Sequence, residues 1–151
     1  MASFCGSFAA MEWIETTDGA DWQALSELYR VAPLGNKPPE LLRTAFGNSR
    51  YVCFVYEGER LVGAGRALAD GVDCSYVCDV AVHPAQQGTG LGKAIVGRLV
   101  ERSRGHRKII LYAVPGKEPF YRKFGFRRMT TAMAIFADEA GAFARGVIAE
   151  D

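Results

Sequence analysis

A chain of 151 residues with 49% hydrophobic and 23% charged residues suits one globular domain with a core of its own. That balance excludes disorder, collagen-like repeats and coiled coil, and no apolar run nears the ~20 residues a membrane span needs. Eighteen Lys and Arg against seventeen Asp and Glu leave a net charge of +1, so no basic surplus points to nucleic acid.

Cys5, Cys53, Cys74 and Cys78 are too sparse for a disulfide scaffold. Cys74 and Cys78 lack a second Cys or His pair, so no metal site is expected. Reduced thiols in a cytoplasmic protein are the expectation. Residues 1–10 lack a basic start and are interrupted by Gly6. They make a poor signal peptide and are expected to be a loose extension.

In chain order, residues 11–16 alternate apolar and polar, as a half-buried strand does. Asp18 and Asp21 are candidate caps for a helix in which Trp22, Leu25, Leu28 and Tyr29 recur at helical spacing. Pro39 can open a second helix, closed at Gly47-Asn48. Strands follow at 51–57, 60–69 and 73–82, joined at Gly58-Glu59 and Asp70-Gly71. Such short turns demand antiparallel neighbours. A glycine loop leads into a helix at 91–103, whose Leu91, Ile95 and Leu99 share a face. Residues 108–114 form a near-continuous apolar strand, as where a sheet is covered on both faces. Pro119 opens a short helix that Gly125 closes. Residues 127–137 read as a last strand, and Asp138 caps a weak tail helix within 138–151. The sum is α/β (α+β): a mixed, mostly antiparallel sheet flanked by helices, with a strand, glycine loop, helix and strand at its centre.

Gln87-Gly88-Thr89-Gly90-Leu91-Gly92-Lys93 is the most informative segment. Glycines at alternate positions let backbone N–H groups approach a ligand, and the helix behind adds its positive end. Strand, loop and helix start together suit a pyrophosphate. A Walker A loop is excluded, because its first glycine would fall at Gln87 and Ala94 replaces the magnesium-binding hydroxyl. A Rossmann fingerprint is excluded too, because the loop reads G-x-G-x-G after an antiparallel meander.

The chain resembles the GNAT superfamily of N-acetyltransferases over roughly residues 11–136. Gln87, Gly90 and Gly92 meet its Q/R-x-x-G-x-G/A pattern, after Val80-Ala81-Val82-His83-Pro84. Phe120-Tyr121 followed by Phe124-Gly125-Phe126 meets a second motif downstream. The resemblance implies a single N-acetyltransferase domain with acetyl-CoA as co-substrate and no metal. Gln87, Gly88, Thr89, Gly90, Leu91, Gly92 and Lys93 would cradle the diphosphate. Val80, Ala81 and Val82 would pair with the pantetheine amides, as β-augmentation pairs a peptide. Basic residues from Lys93 to Lys123, including Arg98, Arg102, Arg104 and Lys108, would add charge for the phosphates. Where family members often carry an asparagine, this chain has Pro115-Gly116-Lys117, which removes one expected CoA contact.

Tyr121 matches the family's general-acid tyrosine, and Asp79, the one acid beside the pantetheine strand, is the candidate base. A structural carboxylate or a partner for the substrate ammonium at Asp79, with water past Tyr76, Cys78 or Tyr112, is the alternative. The leading expectation for the acceptor is a primary amine of a small molecule, with a homodimer admitted. A protein acetyltransferase and a non-catalytic acetyl-CoA-binding module are the alternatives, because fold alone does not make an enzyme.

Overall fold

The computed structural model describes residues 10–150. Cys5 and all but the last residue of the expected extension lie outside the described residues. The chain divides into two compact units, split between Leu111 and Tyr112.

The first unit is built on a five-stranded sheet in the order β1-β2-β3-β4-β5. Its strands are β1 (Glu12–Ile14), β2 (Tyr51–Glu57), β3 (Arg60–Ala69), β4 (Cys74–Val82) and β5 (Lys108–Ile110). The first four pair antiparallel, and β5 pairs parallel to β4. Two helices, α1 (Trp22–Val31) and α2 (Pro39–Gly47), lie between β1 and β2 in sequence; α3 (Leu91–Ser103) lies between β4 and β5. Asp21 caps α1 by accepting the Ala24 N–H at 2.9 Å. At the β3–β4 turn, Asp70 Oδ1 accepts the N–H groups of Val72 and Asp73, both at 2.7 Å.

The strand period divides the core in two. Val52 and Phe54 of β2 join Leu25, Leu28 and Tyr29 of α1 and Leu42 and Phe46 of α2. Cys53 and Val55 of the same strand join Leu91, Ile95 and Leu99 of α3. Burial on both faces explains why β2 is apolar at successive positions. Glycine lets α3 close on the sheet. A Cβ on Gly65 would lie 2.9 Å from Leu99 Cδ1 and 3.1 Å from Ile95 Cγ2.

The second unit holds α4 (Glu118–Arg122) and α5 (Glu139–Ala144). Asp138 caps α5 as its position predicts, accepting the Gly141 N–H at 2.9 Å. Two expected strands are corrected. The apolar run 108–114 pairs only as far as Ile110, and among the described residues no strand forms at 127–137. Strand character needs a paired neighbour, which β-propensity alone does not supply.

Candidate active site

The candidate site is built where β4 leaves β5. Their parallel pairing covers Cys74↔Lys108, Ser75↔Ile109 and Tyr76↔Ile110, then stops. From Val77 to Val82 the β5-facing edge of β4 has no strand partner among the described residues. On its other edge Ala81 pairs with Ala64 and Val82 with Gly63. Val80, Ala81 and Val82 therefore lie on a strand with one edge committed and one open, the arrangement that accepts an extended amide chain.

Beyond β4, Pro84–Gln86 form one 3-10 turn, capped by His83 Nδ1, which accepts the Ala85 N–H at 3.1 Å. The loop then turns on Gly88 and Gly90, at φ 80° and 90°. An L side chain at either would be strained. A Cβ on Gly88 would meet nothing within 4 Å, so the glycine serves conformation and access rather than packing. Thr89 Oγ1 donates to the Gln86 carbonyl at 2.6 Å. Gly90 caps α3 with no side-chain hydrogen bond, and the first turn carries no acidic residue. Ala94 is the first N–H taken up, by the Gly90 carbonyl at 3.0 Å. The N–H groups of Leu91, Gly92 and Lys93 are thus left for an outside acceptor. Leu91 can offer only its backbone, because its side chain is buried in the core. Gln87 and Lys93 are exposed. These open donors, with the open β4 edge, fit a phosphate-bearing, amide-bearing ligand.

One anchoring residue escapes a motif search. Gln86 is buried, and its Nε2 donates to Glu57 Oε2 at 2.8 Å, tying the loop to the end of β2. Part of the expected basic surface is already engaged. Arg98 and Arg102 pair with Glu15, Arg104 with Glu101, and Lys108 with Asp73.

Asp79 sits on a β-bulge. Between the pairs Ala64↔Ala81 and Arg66↔Cys78, β3 spends one residue and β4 spends two, Asp79 and Val80. Asp79 is the one non-glycine residue at positive φ among the described residues, at 54°. The extra residue inverts the alternation, so Val77, Val80 and Val82 all face α3. Asp79 instead meets Arg66, whose Nε donates to Oδ2 at 2.8 Å, and Lys37 Nζ, 3.6 Å from Oδ1. Its carbonyl accepts the Tyr29 hydroxyl at 2.5 Å. Tyr29 is fully buried, and burial, then the charge of Asp79, push its hydroxyl well above the ordinary tyrosine range. Beside the bulge, burial pushes the Cys78 thiol up to about 11.

Tyr121 belongs to the second unit, on α4. Its ring stands edge-on to Phe120 at 5.0 Å and to Phe126 at 6.2 Å. This half-buried apolar setting raises its phenol above the ordinary value, so the hydroxyl stays protonated at neutral pH. Among the described residues no group of three His, Cys, Asp or Glu could hold a metal ion, and no helix is long and apolar enough to cross a membrane.

Residues 21–126 match the Acetyltransferase (GNAT) family. This chain belongs to that family. One relative, the rice (Oryza sativa subsp. japonica) protein named Serotonin N-acetyltransferase 2, chloroplastic, is 38% identical over 117 residues. That is 74% of this chain, which spans only 58% of that protein's length. A GNAT-family acetyltransferase of Streptococcus pneumoniae superposes with a TM-score of 0.70 at 21% identity, covering 84% of this chain and 98% of that one. A predicted acetyltransferase of Clostridium acetobutylicum, solved with acetyl-CoA, gives 0.61 at 18% identity, covering 83% and 96%. At such identities the structures establish that this GNAT chain shares their fold.

Proposed function

We propose that the chain is an acetyl-CoA-dependent N-acetyltransferase acting on a primary amine of a small molecule. The observation that carries this is the pairing of unclaimed N–H groups at the start of α3 with the open β4 edge, in a chain of the GNAT family. The small-molecule acceptor draws support from the name of the rice relative.

Bound acetyl-CoA would supply a thioester acetyl group and a thiol leaving group. The backbone of Gly88, Gly90, Gly92 and Lys93 would hold its diphosphate, and Val80–Val82 would orient its amide arm. Tyr121 would hold the proton that the departing sulfur requires. Donation from an ordinary tyrosine to an ordinary thiolate is uphill by ~2 kcal/mol, and burial of Tyr121 adds to that, so transfer must accompany C–S cleavage. An alkyl ammonium with pKa near ~10.4 is neutral in about one molecule in 2,500 at pH 7, so the acceptor must lose a proton first. Asp79 is held between Arg66 and Lys37. In this reading that pairing serves the bulge, and water carries the proton away. A pH–rate profile of Asp79→Asn superimposable on the wild type supports this assignment, and a loss concentrated at low pH restores the base role.

The free thiols Cys53, Cys74 and Cys78 fit a reducing compartment, the cytoplasm in this reading. The deciding experiment is thiol release from acetyl-CoA across arylalkylamines, amino sugars, polyamines and peptides. Turnover with a small amine is expected. Turnover with peptides alone makes the chain a protein acetyltransferase. Heat stabilisation by acetyl-CoA without any turnover makes it a binding module.

A further inference from the structure

The two faces of the open β4 edge are unlike. On one, Val77, Val80 and Val82 pack against α3. On the other, Asp79 lies between Arg66 of β3 and Lys37 of the α1–α2 connection, with side chains 20%, 15% and 34% exposed. The second face is thus the one open to a small molecule. Its charges do not balance. Among the described residues Asp79 is the one carboxylate paired with either cation. Burial keeps the neighbouring Tyr29 hydroxyl and Cys78 thiol protonated at neutral pH, so neither adds a negative charge. Two cations against one anion leave an excess positive charge in a partly desolvated place, where charge acts more strongly than in water.

Arg66 is committed and Lys37 is not. Arg66 Nε donates to Asp79 Oδ2 at 2.8 Å and Nη1 to Ser49 Oγ at 3.3 Å, and the guanidinium lies 5.9 Å from the centre of the Phe46 ring. Lys37 Nζ stops 3.6 Å from Asp79 Oδ1, too far for a hydrogen bond. Its position is nevertheless set. The Lys37 carbonyl accepts the Ser26 hydroxyl at 2.6 Å, Pro38 restricts the backbone behind it, and the ammonium lies 5.8 Å from the centre of the Tyr29 ring. An ammonium held in place, with donors unused among the described residues, is prepared for an anionic oxygen from outside.

We propose that Lys37 selects the acceptor: a small primary amine that also carries an anionic group, carboxylate or phosphate, which Lys37 receives while the amine meets the thioester at the β4 edge. This rests on the acetyl-transfer reading above and narrows its acceptor. The anionic group offsets the excess positive charge, which otherwise disfavours an incoming ammonium. The transfer is that of any primary amine. Nitrogen forms the new C–N bond, the C–S bond breaks with its electrons on sulfur, and one N–H proton is lost as the thiolate gains one. The anionic group takes no part in those steps.

The test is thiol release with matched pairs: ω-amino carboxylates against n-alkylamines of equal length, and an amino-sugar phosphate against the amino sugar. The two arms separate a carboxylate from a phosphate. Within at least one pair the wild type should favour the charged member by about 10-fold or more in kcat/KM, carried by the acceptor KM. Lys37→Gln should bring that ratio close to one, Lys37→Arg should keep most of it, and Lys37→Glu should reverse it. Calorimetric titration with the acetylated products, CoA present, should rank them the same way, and equal affinities for charged and neutral products would overturn the proposal. A ratio near one in every wild-type pair, or a preference that survives Lys37→Gln, overturns it and leaves the acetyl-transfer reading standing. A Lys37→Gln effect confined to the KM for acetyl-CoA overturns it as well, because the lysine would then serve the donor. No thiol release with any amine overturns both.

Discussion

Tyr29→Phe removes one oxygen atom from a fully buried site. That hydroxyl donates to the Asp79 carbonyl at 2.5 Å, and Asp79 holds a backbone conformation at φ 54° that its side chain disfavours. Phenylalanine fills the same space, so no cavity opens. The loss is the hydrogen bond and the solvation of a carbonyl left without its donor, about 1–3 kcal/mol. At this chain length each kcal/mol lowers the midpoint by roughly 2–4 °C, so a loss of ~2 kcal/mol gives a fall of about 4–8 °C. The bulge also aims Val80 and the open edge of β4. With arylalkylamine as acceptor, kcat should drop several-fold while the KM for acetyl-CoA stays within a factor of about two, because the proposed diphosphate contacts lie on the loop and α3. Calorimetry and steady-state thiol release measure the two effects. A variant that melts within about 1 °C of the wild type and keeps full kcat would refute the reasoning, because the bulge would then hold without Tyr29.

Gly90→Asp puts a carboxylate at a position of φ 90° where N–H groups await an anion, so acetyl-CoA should no longer raise its melting temperature; an undiminished shift would remove the loop from the site. Tyr121→Phe should lower kcat by ~10²–10⁴-fold with little change in acetyl-CoA KM if the phenol is the acid, and near-normal kcat would leave it a packing residue. Gly65→Val should cost about 1–3 kcal/mol in denaturant unfolding, because its Cβ would press on Leu99, Ile95 and Val80 together. Glu15 accepts from Arg98, which with Arg102 nearby holds its carboxyl below the ordinary 4.5 despite partial burial. A depressed folded value contributes stability above the unfolded value and loses it as pH falls through the folded one. Glu15→Gln should therefore show a shallower fall in melting temperature than the wild type below about pH 4.5, and parallel curves would deny the pair a role.

Local chemistry was enough for β2, β3 and α3, whose observed bounds are those of the sequence pattern. Each is framed by its own turn residues, Gly58-Glu59, Asp70-Gly71 and the glycine loop, and each keeps one period throughout. The candidate donor site is proposed from equally local chemistry. Glycines before a helix start leave its first N–H groups open to an anion. Tyr121 is proposed as the acid from its F-Y-x-x-F-G-F motif.

Tertiary structure decided what depends on distant partners. Strict alternation from Val77 would turn Asp79 toward α3, and no local signal announces the bulge that turns it toward Arg66 and Lys37. The buried hydroxyl that holds that bulge comes from Tyr29, fifty residues earlier. Glu15 takes up Arg98 from 83 residues away, so a helix that looked available to phosphates is partly engaged. The apolar runs at 108–114 and 127–137 have strand composition, but a strand exists only where another backbone meets its N–H and C=O groups. Periodicity states what a segment can bury; which neighbour reaches it is set by the rest of the chain.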